Sequence, residues 1–336
     1  MAGGPRQDRR LGQRSGSRAD AGRRCFRGLK PAGNYMAEQQ GRTAPLKAWA
    51  MDFPAIIRDE MRVEARRVPE RLDDCCRVEP ELQLRRDSFI FTTPRGTRFH
   101  YAIGQGIAIE QSADGSDAET GLFYHGTVYG AVVWLNGLVP LHASSVAKDG
   151  KVIAFTAKSG EGKSTLAAAL ARHGFEHRSD DVLLLEIKDR TIRAWPDRER
   201  IKLCKDAFDL TGAEKLAAIE PGASKFFAKV HSLGTPRPQG QDQSPLPLRD
   251  LVVLESREQG DPQLAPCTGA GKLPLIVNAM YRIEIPIWLR DEQRHREHLA
   301  RLATGLKIWT LSRQRSRDRF ADDIGRIVHS LEMLKT

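Results

Sequence analysis

No stretch of this chain approaches the 18 or more consecutive apolar residues of a membrane-spanning helix, so no segment reads as one. Cysteine is scarce, and Cys25, Cys75, Cys76, Cys204 and Cys267 include no C-x-x-C pair. Cys75 and Cys76 are adjacent, a spacing suited neither to a metal site nor to a disulfide framework. A reducing cytoplasm is the compartment this pattern fits. Residues 1–28 (MAGGPRQDRRLGQRSGSRADAGRRCFRG) lack apolar periodicity and the 7–15-residue apolar core of a secretory signal.

Negative charge is also missing from that stretch. Residues 1–50 hold 11 Lys+Arg against 3 Asp+Glu, a net +8 of the chain's +10, which leaves +2 for the other 286 residues. The body is close to neutral, which argues against a nucleic-acid partner. A tail so polar cannot bury enough surface to offset the entropy of ordering. Residues 1–50 are therefore expected to be a disordered Arg-rich tail, an upstream extension with Met36 or Met51 as the functional start. A nucleic-acid or membrane-surface arm is the rival reading.

What is present supports real cores: 336 residues at 40% hydrophobic suffice for one large or two modest domains. Asp87–Ile109 predicts three short strands separated by Pro-Arg-Gly and Gly-Gln-Gly turns. Glu119–Leu138 is long, apolar and free of proline, and predicts a buried helix despite its glycines. Val139–Ala147 predicts one strand, and Lys148-Asp149-Gly150-Lys151 a hairpin turn. Further strands are expected at Val182–Ile187, Thr191–Trp195, Leu251–Glu255 and Lys307–Leu311. Helices are expected near Lys205–Leu210, Asp291–Ala303 and Arg317–Leu334. Arg237–Pro247 is Pro/Gln-rich and reads as a mobile loop. The division expected is a tail (1–50), an α+β region (51–138) and a nucleotide-binding catalytic domain (139–336).

The chemistry concentrates in AKSGEGKSTLAAAL, Ala157 to Leu170. The pattern G-x-x-x-x-G-K-[ST] has alanine at its first position here, and Lys158, Ser159, Gly160, Glu161, Gly162, Lys163, Ser164 and Thr165 follow in register. Glycines let backbone N–H groups turn inward around a phosphate with no Cβ in the way. Lysine reaches the β/γ-phosphates and the serine hydroxyl binds Mg²⁺. The flanks agree: Val152–Thr156 is a short β-prone run, and Leu166–His173 favours helix up to the stop at Gly174. The positive end of that helix then faces the anion. ATP and Mg²⁺ are the cofactors this motif calls for. Next come Ser179-Asp180-Asp181, two adjacent carboxylates whose repulsion a cation or a proton must relieve. Glu186, at the far end of the following apolar strand, is an alternative metal ligand.

Taken together, PLHASSVAKDGKVIAFTAKSGEGKSTLAAALARHGFEHRSDDVLLLE resembles the catalytic core of the HPr kinase/phosphorylase family. The resemblance is close from about Leu141 to Glu186 and looser over residues 85–336. In layout it is most similar to the HPr-kinase-related proteins of bacterial peptide-maturation clusters, some of which phosphorylate a serine of a lasso-peptide precursor. It implies an α/β P-loop kinase core of the HPr kinase/phosphoenolpyruvate carboxykinase type, with a mixed sheet and a smaller strand-helix region before it. It implies ATP-dependent transfer to a hydroxyl, serine first, of a peptide or small protein, with a small-molecule kinase or a non-transferring regulatory module as alternatives, and a homo-oligomer. Carried over by residue, it makes His142 the histidine of the preceding strand, Lys163 the phosphate lysine and Ser164 an Mg²⁺ ligand. Asp180 becomes the base toward the acceptor and Asp181 the second Mg²⁺ ligand. The glutamate- and glycine-containing signature of true HPr kinases is replaced here by Trp195-Pro196-Asp197-Arg198-Glu199-Arg200-Ile201-Lys202-Leu203. That puts the HPr substrate and the phosphorylase reaction in doubt, but not ATP use. Glu199 stands as a further metal candidate, and Arg200, Lys202 and Lys225 as phosphate or substrate contacts. His295 and His298 lie on a charged helix face and carry less weight.

Overall fold

The computed structural model describes residues 53–189, 191–197, 200–218, 224–229 and 244–335. The tail expected at 1–50, Cys25, Glu199 and most of the loop expected at 237–247 lie outside these residues. Thr43–Thr336 forms one compact unit, and no described helix is long and apolar enough to cross a membrane.

The first sheet comprises β1 (Val63–Ala65), β2 (Arg77–Val78), β3 (Leu82–Leu84), β4 (Ser88–Thr92), β5 (Arg98–Ala102) and β6 (Gly106–Glu110), in the order β1-β6-β5-β4-β3-β2. Its last three strands are those the turn signals predicted. Gly96, Gly104 and Gly106 supply the positive φ of the connecting turns.

The helix expected over Glu119–Leu138 is present as one uninterrupted helical run with a π-helical turn inside it: α1 (Asp117–Phe123), the π turn at Tyr124–Val128, and α2 (Tyr129–Leu135). A Cβ on Gly130 would lie 2.9 Å from the ring of Tyr281. Glycine is used here for close approach, so the backbone of α2 can pack directly on that aromatic.

The strand expected over Val139–Ala147 is broken at the histidine into β7 (Val139–Leu141) and β8 (Ala143–Lys148). Pro140 has no N–H to donate, which weakens the run as a continuous ladder. At the break, His142 N–H donates to Ala279 O at 2.7 Å and Tyr281 N–H to Pro140 O at 2.9 Å.

The second sheet continues with β9 (Lys151–Thr156), β10 (Glu176–Ser179), β11 (Leu183–Lys188), β12 (Thr191–Ala194), β16 (Leu246–Arg257), β17 (Gln263–Cys267) and β18 (Lys307–Gln314). A small sheet, in the order β13-β15-β14, is made by β13 (Arg200–Cys204), β14 (Glu214–Ala218) and β15 (Lys225–Lys229). The helices are α3 (Lys163–Ala171), α4 (Ala207–Thr211), α5 (Lys272–Ala279), α6 (Glu284–Trp288), α7 (Glu292–Gly305) and α8 (Phe320–Glu332). The large sheet is mixed: β9–β16 and β16–β18 are parallel, whereas β8–β9, β8–β10 and β11–β12 are antiparallel. Leu246 and Pro247, expected in a loop, open the long strand β16.

β9 reads as an unbroken apolar run because both of its faces are covered. Val152 and Ala154 point into one core with the first sheet and α2, and Ile153 and Phe155 into a second core with α3 and α8. The carboxyl end of this central strand is where the glycine loop departs, the usual position for a site in a parallel or mixed α/β sheet.

Candidate active site

The loop from Ala157 leads into α3 at Gly162, whose φ of +81° and lack of a Cβ let the chain turn into the helix beneath Arg313. A Cβ there would lie 2.8 Å from the Arg313 guanidinium. No side chain caps α3, so its first-turn N–H groups and positive end are open to an anion. Arg313, only 8% exposed, donates from one nitrogen to Glu161 O (3.1 Å) and Gly162 O (3.3 Å). It thereby ties the carbonyls of the glycine loop to β18 at the edge of the cavity. Burial, and then Arg315, lower the Arg313 pKa to about 10, so it stays charged at neutral pH. No residue-type pattern near the loop announces Arg313, which is delivered from β18.

Lys163 is 7% exposed, and its ammonium contacts His142 Nε2 and Ala157 O, both at 3.1 Å. An ammonium only donates, so Nε2 accepts and the histidine proton sits on Nδ1. That nitrogen lies 3.0 Å from Asp181 O, to which it donates. Burial, and then the charge of Lys163, hold the His142 pKa below its ordinary value, which agrees with a neutral ring. Burial likewise lowers Lys163, against the opposing pull of Asp181 and Asp180.

The two aspartates occupy different environments. Asp180, 7% exposed, accepts on Oδ1 from the hydroxyls of Ser164 and Ser144, both at 2.7 Å, and on Oδ2 from the Lys202 N–H at 2.9 Å. Asp181 stands at φ +76° in a tight turn closed by Val182 N–H donating to Asp180 O at 3.0 Å. Its side chain is 40% exposed and pairs with Lys202 Nζ at 2.8 Å. Although burial pushes the Asp181 carboxyl up, the charge and hydrogen bond of Lys202, with His142 and Lys225 beyond, hold it at about 2. A non-glycine residue at this φ is strained, and such strain gathers at functional sites.

These groups share one cavity of about 290 Å³, near the lower end of the roughly 300–1,000 Å³ usual for small-molecule sites. Ser159, Gly160, Gly162, Lys163, Ser164 and Thr165 line it, together with His142, Asp180, Asp181, Lys202 and Lys225. Ala157, Lys158 and Glu161 are not in its wall. The Ala157 carbonyl serves Lys163, and the Glu161 carboxylate accepts from the Ser256 hydroxyl. Glu186 is elsewhere, accepting from Trp195 Nε1 at 3.2 Å. His295 and His298 are on α7, where His295 lies against Trp134.

Among the described residues no three His, Cys, Asp or Glu side chains form a self-contained metal site. The donors at hand are two oxygens, Ser164 Oγ and Asp180 Oδ1. That set fits Mg²⁺, which takes one or two protein oxygens and completes its octahedron with phosphate and water.

No family model matches this chain, and no curated protein does. A solved structure described as the HPr(Ser) kinase/phosphatase of Coxiella burnetii overlays with a TM-score of 0.29 and 13% identity, covering 58% of this chain and 97% of that one. At that score the likeness carries nothing about activity, and the chemistry rests on the site's own geometry.

Proposed function

We propose that this protein is an ATP-dependent phosphotransferase that delivers the γ-phosphate to a hydroxyl, serine first, of a peptide or small protein. The observation that carries the reading is the Ser164–Asp180 contact at 2.7 Å, at the open amino end of α3 and in one cavity with Lys163 and Asp181. The positive end of α3, Lys163, Lys202 and Lys225 would hold the polyphosphate, and Ser164 with Asp180 would hold Mg²⁺. When bound, Mg²⁺ neutralises phosphate charge as it develops on the transferred group.

The hydrogen bonds support the reverse of the expected order for the aspartates. Both oxygens of Asp180 are engaged, one by the very hydroxyl expected to bind metal, so Asp180 belongs with the metal. Asp181 has a half-buried, ionised carboxylate that lines the cavity. It orients the acceptor hydroxyl and takes its proton, while His142 fixes the backbone of its turn through Nδ1. Lys163, held ready by His142 and Ala157 O, turns its ammonium to phosphate. Catalysis of this kind is chiefly positioning and charge stabilisation.

The test is full-length protein with γ-labelled ATP and a panel of serine-containing peptides and small hydroxylated metabolites, with Lys163→Met as control. Label on a hydroxyl that disappears in the control supports the proposal. Label on metabolites alone would replace the peptide acceptor, and nucleotide binding without transfer to any acceptor overturns the reading.

A further inference from the structure

The cavity has two unlike ends. One holds Lys163, Lys202, Lys225 and Arg313 around Asp180 and Asp181, a surplus of positive charge that suits a polyphosphate. From there, one wall runs from Lys202 on β13 through Cys204 to Ala207 and Leu210 on α4. The other runs from Arg313 on β18 to Phe320 and Ile324 on α8. At this end the two walls meet where Arg317, itself a lining residue, pairs with Asp209 at 3.0 Å. Asp323 is buried against Arg319 at 3.3 Å, while Asp206 and Arg315 line the cavity from exposed positions. The apolar part of the lining is Leu210 and Phe320, half-buried, with Ala207 and Ile324, buried.

We infer that this α4–α8 end seats the planar base of the nucleotide, with the ring of Phe320 against one face and Leu210 across from it. The inference rests on the phosphotransferase reading. With phosphates fixed at α3, the uncharged part of the molecule must leave the cationic end, and along the two walls the apolar end is where the cavity leads. An aromatic side chain and an aliphatic one on facing helices make a slot that binds a planar ring through stacking.

The experiment compares two ligands on the full chain by calorimetry: Mg-ATP, and Mg-tripolyphosphate, which has the same phosphate chain and no base. Phe320→Leu keeps apolar volume and removes the ring face. It is expected to weaken ATP by about fivefold or more while tripolyphosphate stays within about twofold. Leu210→Gln gives the same pattern and carries the test should Phe320→Leu not fold, as judged by its melting curve. Equal weakening of both ligands, or of neither, overturns the base slot. Wild type binding tripolyphosphate as tightly as ATP overturns it too, and leaves the phosphate cradle standing. Wild type binding neither ligand overturns the phosphotransferase reading itself, and the slot with it.

Discussion

Asp181 offers a way to separate what the site needs from what the fold needs. Its φ of +76° places a Cβ-bearing residue where L side chains rarely sit, at a cost on the order of 1–3 kcal/mol. Asp181→Gly and Asp181→Ala both remove the carboxylate and its 2.8 Å pair with Lys202, so those losses cancel when the two variants are compared. What differs is the backbone. Alanine keeps the strain; glycine removes it but adds about 0.5–1 kcal/mol of unfolded-chain entropy. The difference leaves the glycine variant more stable by about 1 kcal/mol, with bounds of roughly 0 and 2.5.

In a chain of this size that is a shift of about 1.5 °C in Tm, and it is read more directly as a higher urea midpoint at unchanged slope. Both variants should lose about 10²-fold or more in kcat, with ATP affinity nearly constant, because the role proposed for Asp181 is toward the acceptor rather than the nucleotide. An alanine variant more stable than the glycine variant would refute the strain argument. A glycine variant that keeps its turnover would refute the role of the carboxylate.

Asp180 should fail differently. Asp180→Asn leaves one acceptor oxygen where there are two, so either the Lys202 N–H or the Ser144 and Ser164 hydroxyls lose the oxygen they now donate to, costing about 1–3 kcal/mol in a denaturant titration, and it should raise the Mg²⁺ requirement with partial rescue at high Mg²⁺; a mutant with wild-type metal dependence sinks the assignment. Gly162→Ala meets both the +81° φ and the Arg313 guanidinium at 2.8 Å, so a stability loss of about 1–3 kcal/mol and much weaker ATP binding are expected in melting and calorimetry, and a variant that binds normally would show that the loop is not held by Arg313. Burial, first in each case, holds His142 and His177 below their ordinary 6.5. The folded state therefore takes up fewer protons than the unfolded chain below that value, and unfolding free energy should fall as pH drops from 6.5 toward the folded values and be flat just above it. Denaturation at pH 5, 6 and 7 checks this, and His177→Gln should flatten the slope; a steep slope unchanged in that variant removes His177 from the account.

The part of the site legible in the sequence is the part that is contiguous. Lys163, Ser164, Asp180 and Asp181 stand within 19 positions of one another, on a strand, loop and helix whose local signals agree. Lys202 and Lys225 were visible only as candidate cations: Ile201-Lys202-Leu203 alternates as a strand should, but what places the two lysines at the site is the pairing of β13 with β15 in a small sheet that local sequence does not announce. Ser144 and Arg313 had no signal at all. Ser144 reaches Asp180 only because the chain breaks at His142 and re-pairs β8 with β9 and β10, and Arg313 reaches the glycine loop through the parallel pairing of β18 with β16. The break itself had a local sign in Pro140, the residue that cannot donate to a ladder. Reading Val139–Ala147 as one strand gave that proline too little weight, and it also hid the reason for His142's place in the site. A histidine inside a continuous strand would alternate with its neighbours into one core or the other. At a junction whose backbone is captured by Ala279 and Tyr281, the ring is free to reach Lys163 with one nitrogen and the strained turn of Asp181 with the other. The strand break is therefore what lets one ring link Lys163 to the turn of Asp181.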